Sequence, residues 1–101
     1  MAHWSETAPR LRCYATWLDD EPQPGWVLYE FTDAAGETVR GEDKPIWTDE
    51  DIPTTGERVE AWFAIPPEEF DDSVDPPVVM LGCLPPERSS FPVRREDLRI
   101  S

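Results

Sequence analysis

The chain has 101 residues and a formal net charge of −13, because 22 Asp and Glu residues stand against only nine Lys and Arg residues. Its length allows a single domain, residues 1–101, since domains usually contain about 100–150 residues. Binding to a phosphate backbone needs clustered cations, so the charge balance predicts no nucleic-acid partner. No apolar run approaches the roughly 20 residues of a membrane-spanning helix, so no membrane partner is expected.

Residues 1–9 are predicted to form a frayed tail rather than a targeting signal. The start, Met1-Ala-His-Trp-Ser-Glu, lacks the basic and apolar regions of a signal peptide. We therefore expect a cytoplasmic protein whose two cysteines, Cys13 and Cys83, are reduced thiols. A disulfide between them is conceivable if their strands are neighbours.

Twelve prolines interrupt the chain and exclude any long helix. Between them, short segments rich in aromatic and β-branched residues alternate in polarity, as strands do when one face is buried. In chain order, the predicted strands are residues 12–18, 26–32, 37–40 with a break at Gly41 and a second piece at 44–47, then 57–65, 78–84 and 93–100.

Turns are predicted between these strands. Asp33-Ala-Ala-Gly36 is typical of a hairpin turn in which glycine adopts a positive φ. Thr48 is predicted to cap one helical turn over residues 49–51, because acidic side chains favour the positive end of a helix. Residues 66–76 are expected to form an acidic, proline-rich loop that begins with a short turn. A tight turn at residues 95–97 is predicted before the end of the chain.

These segments predict an all-β fold, either a sandwich or a small barrel. We favour a small five- or six-stranded antiparallel barrel of SH3-like or OB-like kind, with one or two short helical turns. Closure into a barrel also removes the exposed strand edges that a small β-protein must otherwise protect.

Two stretches carry a resemblance. Residues 27–36 followed by Asp43-Lys-Pro-Ile-Trp-Thr48 resemble small bacterial proteins of unknown function that contain a strand, Asp-x-x-Gly, strand hairpin. Residues 56–59 and 91–98 resemble the rim of SH3-like barrels, where a short helical turn precedes the last strand. Together these stretches comprise 28 of the 101 residues. The resemblance implies a small barrel, and it carries over no functional residue.

Residues that perform chemistry are sparse. His3 is the single histidine, and Cys13 and Cys83 lie seventy positions apart, so no Cys/His metal site is predicted. Nucleophilic catalysis of the Ser-His or Cys-His kind would depend on His3, which falls in the predicted tail. The glycines are isolated, so no phosphate-binding loop is predicted. We expect no catalytic, cofactor-binding or metal-binding residues.

Several predicted strands are apolar on both faces, whereas a barrel interior accepts only one. Trp26, Trp62 and Trp47 are therefore expected at the surface, close to Glu30 and Glu60. Exposed aromatic side chains mark interfaces. The first hypothesis is a non-enzymatic protein-interaction module that uses these five residues to bind another protein or a second copy of itself.

Three alternatives remain open. Loops such as residues 66–76 would cover the tryptophans if the surface aromatics are purely structural. The acidic middle of the chain, residues 19–75 with a net charge of −15, would suit an immunity or inhibitor protein that blocks the basic cleft of a nuclease or toxin. A carboxylate-dependent enzyme would use Glu30 and Glu60, the two acids placed among aromatics in the middle of strands.

Overall fold

A computed structural model describes residues 8–21, 23, 25–80 and 90–99. Strands and single 3-10 turns make up its regular secondary structure, so the all-β class is confirmed. The strands are β1 (Arg10–Asp19), β2 (Trp26–Thr32), β3 (Thr38–Asp43), β4 (Val59–Ala64), β5 (Phe70–Asp71), β6 (Val78–Met80), β7 (Ser90–Pro92) and β8 (Leu98–Arg99). The 3-10 turns span Pro45–Trp47, Pro67–Glu69 and Arg95–Asp97.

The main sheet is antiparallel and has the order β3-β2-β1-β4, with the short strand β8 also pairing with β1. Strand β1 lies between β2 and β4, and its residue Tyr14 is paired with Glu30 on β2 and with Glu60 on β4. The β2–β3 hairpin turns at Asp33, whose buried carboxylate accepts hydrogen bonds from the backbone N–H groups of Ala35 and Glu37. Gly36 has a φ of 86° in this turn, as predicted.

A second antiparallel sheet, with the order β5-β6-β7, packs on one face of the main sheet. Its buried residues Val79 and Phe91 join the core formed by alternate residues of the main strands. Phe91 meets Phe31 of β2 edge to face, with ring centroids 5.7 Å apart. The core face of the main sheet is called the inner face below, and the opposite face is called the outer face.

The predicted strand 26–32 is observed with the same bounds, and the other observed strands begin or end at residues other than those predicted. β3 continues through Gly41 to Asp43, so the predicted break at Gly41 is wrong. The predicted piece at 44–47 is wrong as well, because Pro45–Trp47 forms a 3-10 turn. Proline is well placed in the first positions of a helical turn, where no backbone N–H is needed. No helical turn covers residues 49–51.

The remaining differences concern residues 66–97 and the start of the chain. The predicted loop 66–76 contains the strand β5, and residues 81–84 of the predicted strand 78–84 lie outside the described residues. Residues 93–94 are not in a strand, although the predicted turn at 95–97 is present. Ala8 and Pro9, which the sequence grouped with the tail, are buried, and the Pro9 carbonyl accepts a hydrogen bond from the N–H of Ile65.

Closure into a barrel is not found among the described residues. The two end strands of the main sheet, β3 and β4, do not pair with each other there, and the second sheet stays separate. The SH3-like or OB-like barrel therefore stays a prediction. The observed arrangement has two sheets around one core, and the second sheet does not cover the outer face of the main sheet.

Candidate functional site

The two faces of the main sheet differ in composition because side chains alternate along each strand. On β1, Leu11, Cys13 and Ala15 are buried in the core. Arg12 and Tyr14 alternate with them and therefore lie on the outer face, where Arg12 is exposed and Tyr14 is half-buried. The outer face thus mixes aromatic side chains with charged ones.

Glu30 is the most enclosed acid of the outer face, with 13% of its side-chain surface exposed. Its carboxylate accepts hydrogen bonds from Nε of Arg40 at 2.9 Å and from Nε of Arg58 at 3.2 Å. Partial burial raises the pKa of Glu30, but the hydrogen bonds and charges of the two arginines outweigh that effect and leave the pKa below its ordinary value of 4.5. Glu30 is therefore held as a carboxylate between two cations.

Arg58 also covers an aromatic ring. Its guanidinium carbon lies 3.9 Å from the ring centroid of Tyr14. A guanidinium stacked in this way uses its flat face for the ring, so its N–H donors still point sideways. One of these donors binds Glu30. The Tyr14–Arg58–Glu30 arrangement therefore fixes an arginine on the surface by stacking and by hydrogen bonding together.

Trp62 on β4 forms a second arrangement of the same kind. The guanidinium carbon of Arg99 lies 3.9 Å from the Trp62 ring centroid, and that of Arg12 lies 5.7 Å away. Arg12 is tethered to the 3-10 turn Arg95–Asp97, because its Nε is 3.8 Å from a carboxylate oxygen of Asp97. Arg99 has no carboxylate within salt-bridge distance among the described residues.

Four of the five predicted site residues lie on the outer face. Glu30 and Glu60 flank Tyr14 in one row across the sheet, and Trp62 lies toward the end of the sheet where β1 begins. Trp26 lies toward the opposite end, and its indole Nε1 donates to Glu42 at 2.9 Å. Trp26 and Trp62 are half-buried, so they are only partly accessible.

Trp47 is not part of this group. Its ring stacks on Phe63, with centroids 5.3 Å apart and an interplanar angle of 7°. Phe63 belongs to the inner face of β4, so Trp47 packs against the core from that side. The structure therefore brings Trp26, Glu30, Glu60 and Trp62 to one face and places Trp47 elsewhere.

The two candidate carboxylates are not arranged for paired acid–base chemistry. Glu30 and Glu60 lie on strands that flank β1, so their backbones are roughly 10 Å apart, which is two strand spacings. Tyr14 lies between them in the sheet, and the guanidinium of Arg58 covers its ring. General acid catalysis near neutral pH needs a raised pKa, whereas the pKa of Glu30 is lowered. The enzyme alternative stays a prediction that this pair of carboxylates does not support.

The sequence did not predict that arginines lie beside the tryptophans of the outer face. Although the chain is strongly acidic, five of its nine cations lie there: Arg10, Arg12, Arg40, Arg58 and Arg99. They are scattered along the sequence and only strand pairing brings them together. The alternation within β1 could have indicated part of this arrangement, because Arg10, Arg12 and Tyr14 are alternate residues and so lie on the same face of the strand.

A cleft of about 540 Å³ is formed between Trp17 of β1 and the segment that follows β3. Its lining comprises Trp17, Pro45, Thr48, Asp49, Glu50, Asp51, Ile52 and Thr54. Two of the three acids have structural partners: Asp49 pairs with Arg10 at 3.0 Å, and Glu50 accepts from the N–H of Trp62 at 3.2 Å. Trp17 alternates in step with the buried residues Cys13 and Ala15 of β1, and its role as a cleft wall was not predicted.

The described residues contain no group of three or more His, Cys, Asp or Glu side chains placed to hold a metal ion. None of the helical segments in that part of the chain is long and apolar enough to cross a membrane. Cys13 is buried on the inner face, and Cys83 lies outside the described residues, so the redox state of the two cysteines stays a prediction.

Comparison of the chain with protein-family models, with curated proteins and with solved structures finds no significant match.

Proposed function

We propose that the chain is a non-enzymatic protein-binding module whose outer sheet face binds a carboxylate-bearing segment of another protein. The observation that carries this proposal is the Trp62 arrangement, in which Arg99 stacks on an indole and has no carboxylate partner among the described residues. An arginine oriented by an aromatic ring loses little side-chain entropy when it binds a carboxylate. Tryptophan and arginine are also the residue types that dominate interface energies.

Charge complementarity indicates the partner's chemistry. Around Trp62, the outer face presents Arg10, Arg12 and Arg99. Among the described residues, Arg10 pairs with Asp49 at 3.0 Å, Arg12 lies 3.8 Å from Asp97, and Arg99 has no carboxylate within salt-bridge distance. A partner segment with carboxylates would pair with the N–H edges of these guanidiniums. The apolar part of the same segment would cover the exposed part of the indole.

The experiment measures the affinity of two short peptides for the full chain by isothermal titration calorimetry. One peptide alternates Glu with Val and the other alternates Lys with Val. We expect the Glu peptide to bind more tightly and the variants Arg99→Gln and Trp62→Leu to weaken it about tenfold, which corresponds to one charge-assisted hydrogen bond. Lys44→Gln is the matched control, since it also removes one exposed cation but lies away from Trp62.

Equal affinity in Arg99→Gln and in the control would overturn the proposal, provided that circular dichroism shows both variants folded. A sedimentation experiment completes the test. Self-association of the chain that Trp62→Leu abolishes would show that a second copy, rather than another protein, occupies this face, and would overturn the assigned partner.

A second candidate function uses the cleft beside Trp17, where an aromatic wall adjoins the acids Asp49, Glu50 and Asp51. This combination suits a basic side chain, as the immunity or inhibitor hypothesis requires. It ranks second because Asp49 and Glu50 already have partners within the chain. Tighter binding of the Lys peptide, weakened by Asp51→Asn, would favour the cleft over the outer face.

A further inference from the structure

The main sheet forks at β1. β4 occupies one edge of β1 over residues 10–15, so both β2 and β8 must pair with the opposite edge. β2 pairs with residues 14–19 of that edge and β8 pairs with residues 10–11. Residues 12–13 lie between the two pairings, at the point where β2 diverges toward its turn. The fork therefore opens a gap in the sheet beside Arg12.

A cavity of about 180 Å³ fills this fork. Arg12 and Tyr14 of β1, Phe31 and Thr32 at the end of β2, and Arg94 and Asp97 before β8 line it. Sites for whole small molecules usually measure about 300–1,000 Å³, so this cavity suits a single side chain or a chain end. Its position continues the outer face, because Arg12 belongs to both.

The charges in the cavity favour an anion. Arg12 and Arg94 contribute two cations, against the single carboxylate of Asp97. That carboxylate is 3.8 Å from Nε of Arg12, which is longer than a hydrogen bond. Arg94 has no carboxylate within salt-bridge distance in the described part of the chain. The cavity therefore holds guanidinium donors that its own acid does not use fully.

We infer that the fork cavity binds one carboxylate of the partner segment through Arg12 and Arg94, and that Asp97 stands in for that carboxylate in the unbound chain. This inference rests on the proposed function, since it identifies the anchor of the same partner. The carboxylate comes from a Glu or Asp side chain or from the carboxyl end of the partner. In the bound state it pairs with Arg94 and competes with Asp97 for Arg12.

The test uses two variants with opposite expected effects. Arg94→Gln should weaken binding about tenfold through the loss of one charge-assisted hydrogen bond. Asp97→Asn should strengthen binding severalfold, because it removes the competing charge beside Arg12. Arg95→Gln is the control, since Arg95 is a neighbouring exposed cation whose ion pair is with Asp75.

Two probe peptides distinguish the source of the carboxylate. The first is the Glu–Val peptide with an amidated carboxyl end, and the second is a Val–Gly peptide with a free carboxyl end. A loss of affinity in Arg94→Gln for the first assigns the cavity to a side chain, and a loss for the second assigns it to a chain end. Both results support the inference.

Unchanged affinity of both peptides in Arg94→Gln and Asp97→Asn, with both variants folded, would overturn the inference. Under that outcome, a loss of affinity in Arg99→Gln would still support binding at the outer face, so the two proposals fail separately. Weaker binding in Arg94→Gln without stronger binding in Asp97→Asn would overturn the stand-in role of Asp97.

Discussion

At the scale of single residues, Glu30 shows how one half-buried acid organises a surface. Its carboxylate holds Arg40 on one side and Arg58 on the other, and Arg58 in turn covers Tyr14. The acid therefore orients two cations that would otherwise sample many rotamers. The same two arginines lower the pKa of Glu30 below its ordinary value.

Glu30→Gln should lower the free energy of unfolding by about 1 kcal/mol at neutral pH, toward the low end for charged hydrogen bonds because the arginines are partly exposed. A group with a lowered folded-state pKa stabilises the fold above its unfolded pKa and loses that contribution as pH falls through the folded value. The difference from wild type should therefore shrink below about pH 4.5. Urea unfolding between pH 3 and pH 7, values chosen to bracket the acid pKa range, measures it.

Glu60→Gln is the matched control for this prediction. Glu60 flanks Tyr14 on the other side and is exposed, and no described side chain hydrogen-bonds to it. Its substitution should leave the free energy of unfolding nearly unchanged across the same pH range. A pH-independent difference between Glu30→Gln and wild type would contradict the assigned ion pairs.

Gly25 is required for a different reason. It has a φ of 127°, and a Cβ there would lie 2.3 Å from two ring atoms of Trp17. Gly25→Ala should therefore destabilise the fold by about 2–3 kcal/mol, by strain and by displacement of the indole. Gly36→Ala is the control, since Gly36 also has a positive φ but a Cβ there would lie 3.7 Å from the nearest side-chain atom, Nη2 of Arg94. Equal losses in thermal unfolding would contradict the close approach of Trp17 to Gly25.

At the scale of elements, the segment after the 3-10 turn Pro45–Trp47 protects the free edge of β4. The Glu50 carboxylate accepts from the N–H of Trp62 and from the hydroxyl of Thr48, and Asp49 pairs with Arg10. An edge N–H that is satisfied by a side chain is not available to pair with another strand. The acids of this segment therefore serve the sheet as well as the cleft.

Glu50→Ala should speed hydrogen exchange at the Trp62 amide, because that N–H loses its acceptor and becomes open to water. The expected loss of stability is about 1 kcal/mol. Native-state hydrogen exchange followed by NMR measures both effects. Asp51→Ala is the control, since Asp51 lines the same cleft without a described hydrogen bond to β4. Unchanged protection of Trp62 in Glu50→Ala would show that other groups protect this edge.

The elements that the sequence predicted well are those determined by local alternation. β2 and its turn agree because Val27, Tyr29 and Phe31 alternate cleanly and Gly36 supplies the positive φ. β3 was cut short because Gly41 disfavours a strand in isolation, whereas its pairing opposite Tyr29 keeps the backbone extended. Pairing partners are not visible in a local pattern.

The candidate site was predicted less well for the same reason. The outward position of Trp26 and Trp62 follows from parity within each strand. The arginines that cover Trp62 come from β1 and β8, which are more than 80 residues apart in the chain at Arg12 and Arg99. Trp47 was misplaced in the predicted group because its 3-10 turn directs it onto Phe63.

At the scale of the whole molecule, charge is distributed unevenly along the strands. One end of the main sheet carries the acids Asp19, Asp20, Glu21, Glu42, Asp43 and Glu57. The other end carries the arginines of β1 and β8 with Arg94 and Arg95. That end also carries Glu96 and Asp97, so the part of the surface that is rich in arginine is local, within a chain whose net charge is −13.

This distribution predicts an unusual salt dependence. The net charge repels an acidic partner at long range, so raising the ionic strength from about 0.01 M to 0.15 M should speed association of the Glu peptide. A basic peptide should associate more slowly over the same range. Stopped-flow measurements distinguish the two signs. Slower association of the Glu peptide at high salt would show that the local arginines dominate even at long range.

The most direct test of the central claim maps where the Glu peptide binds. NMR titration of the full chain follows the indole N–H signals of Trp62, on the outer face, and of Trp17, in the cleft. Binding to the outer face predicts that the Trp62 signal and the Nε–H of Arg99 shift while the Trp17 signal stays in place. Shifts confined to Trp17 and the residues of its cleft would contradict this account.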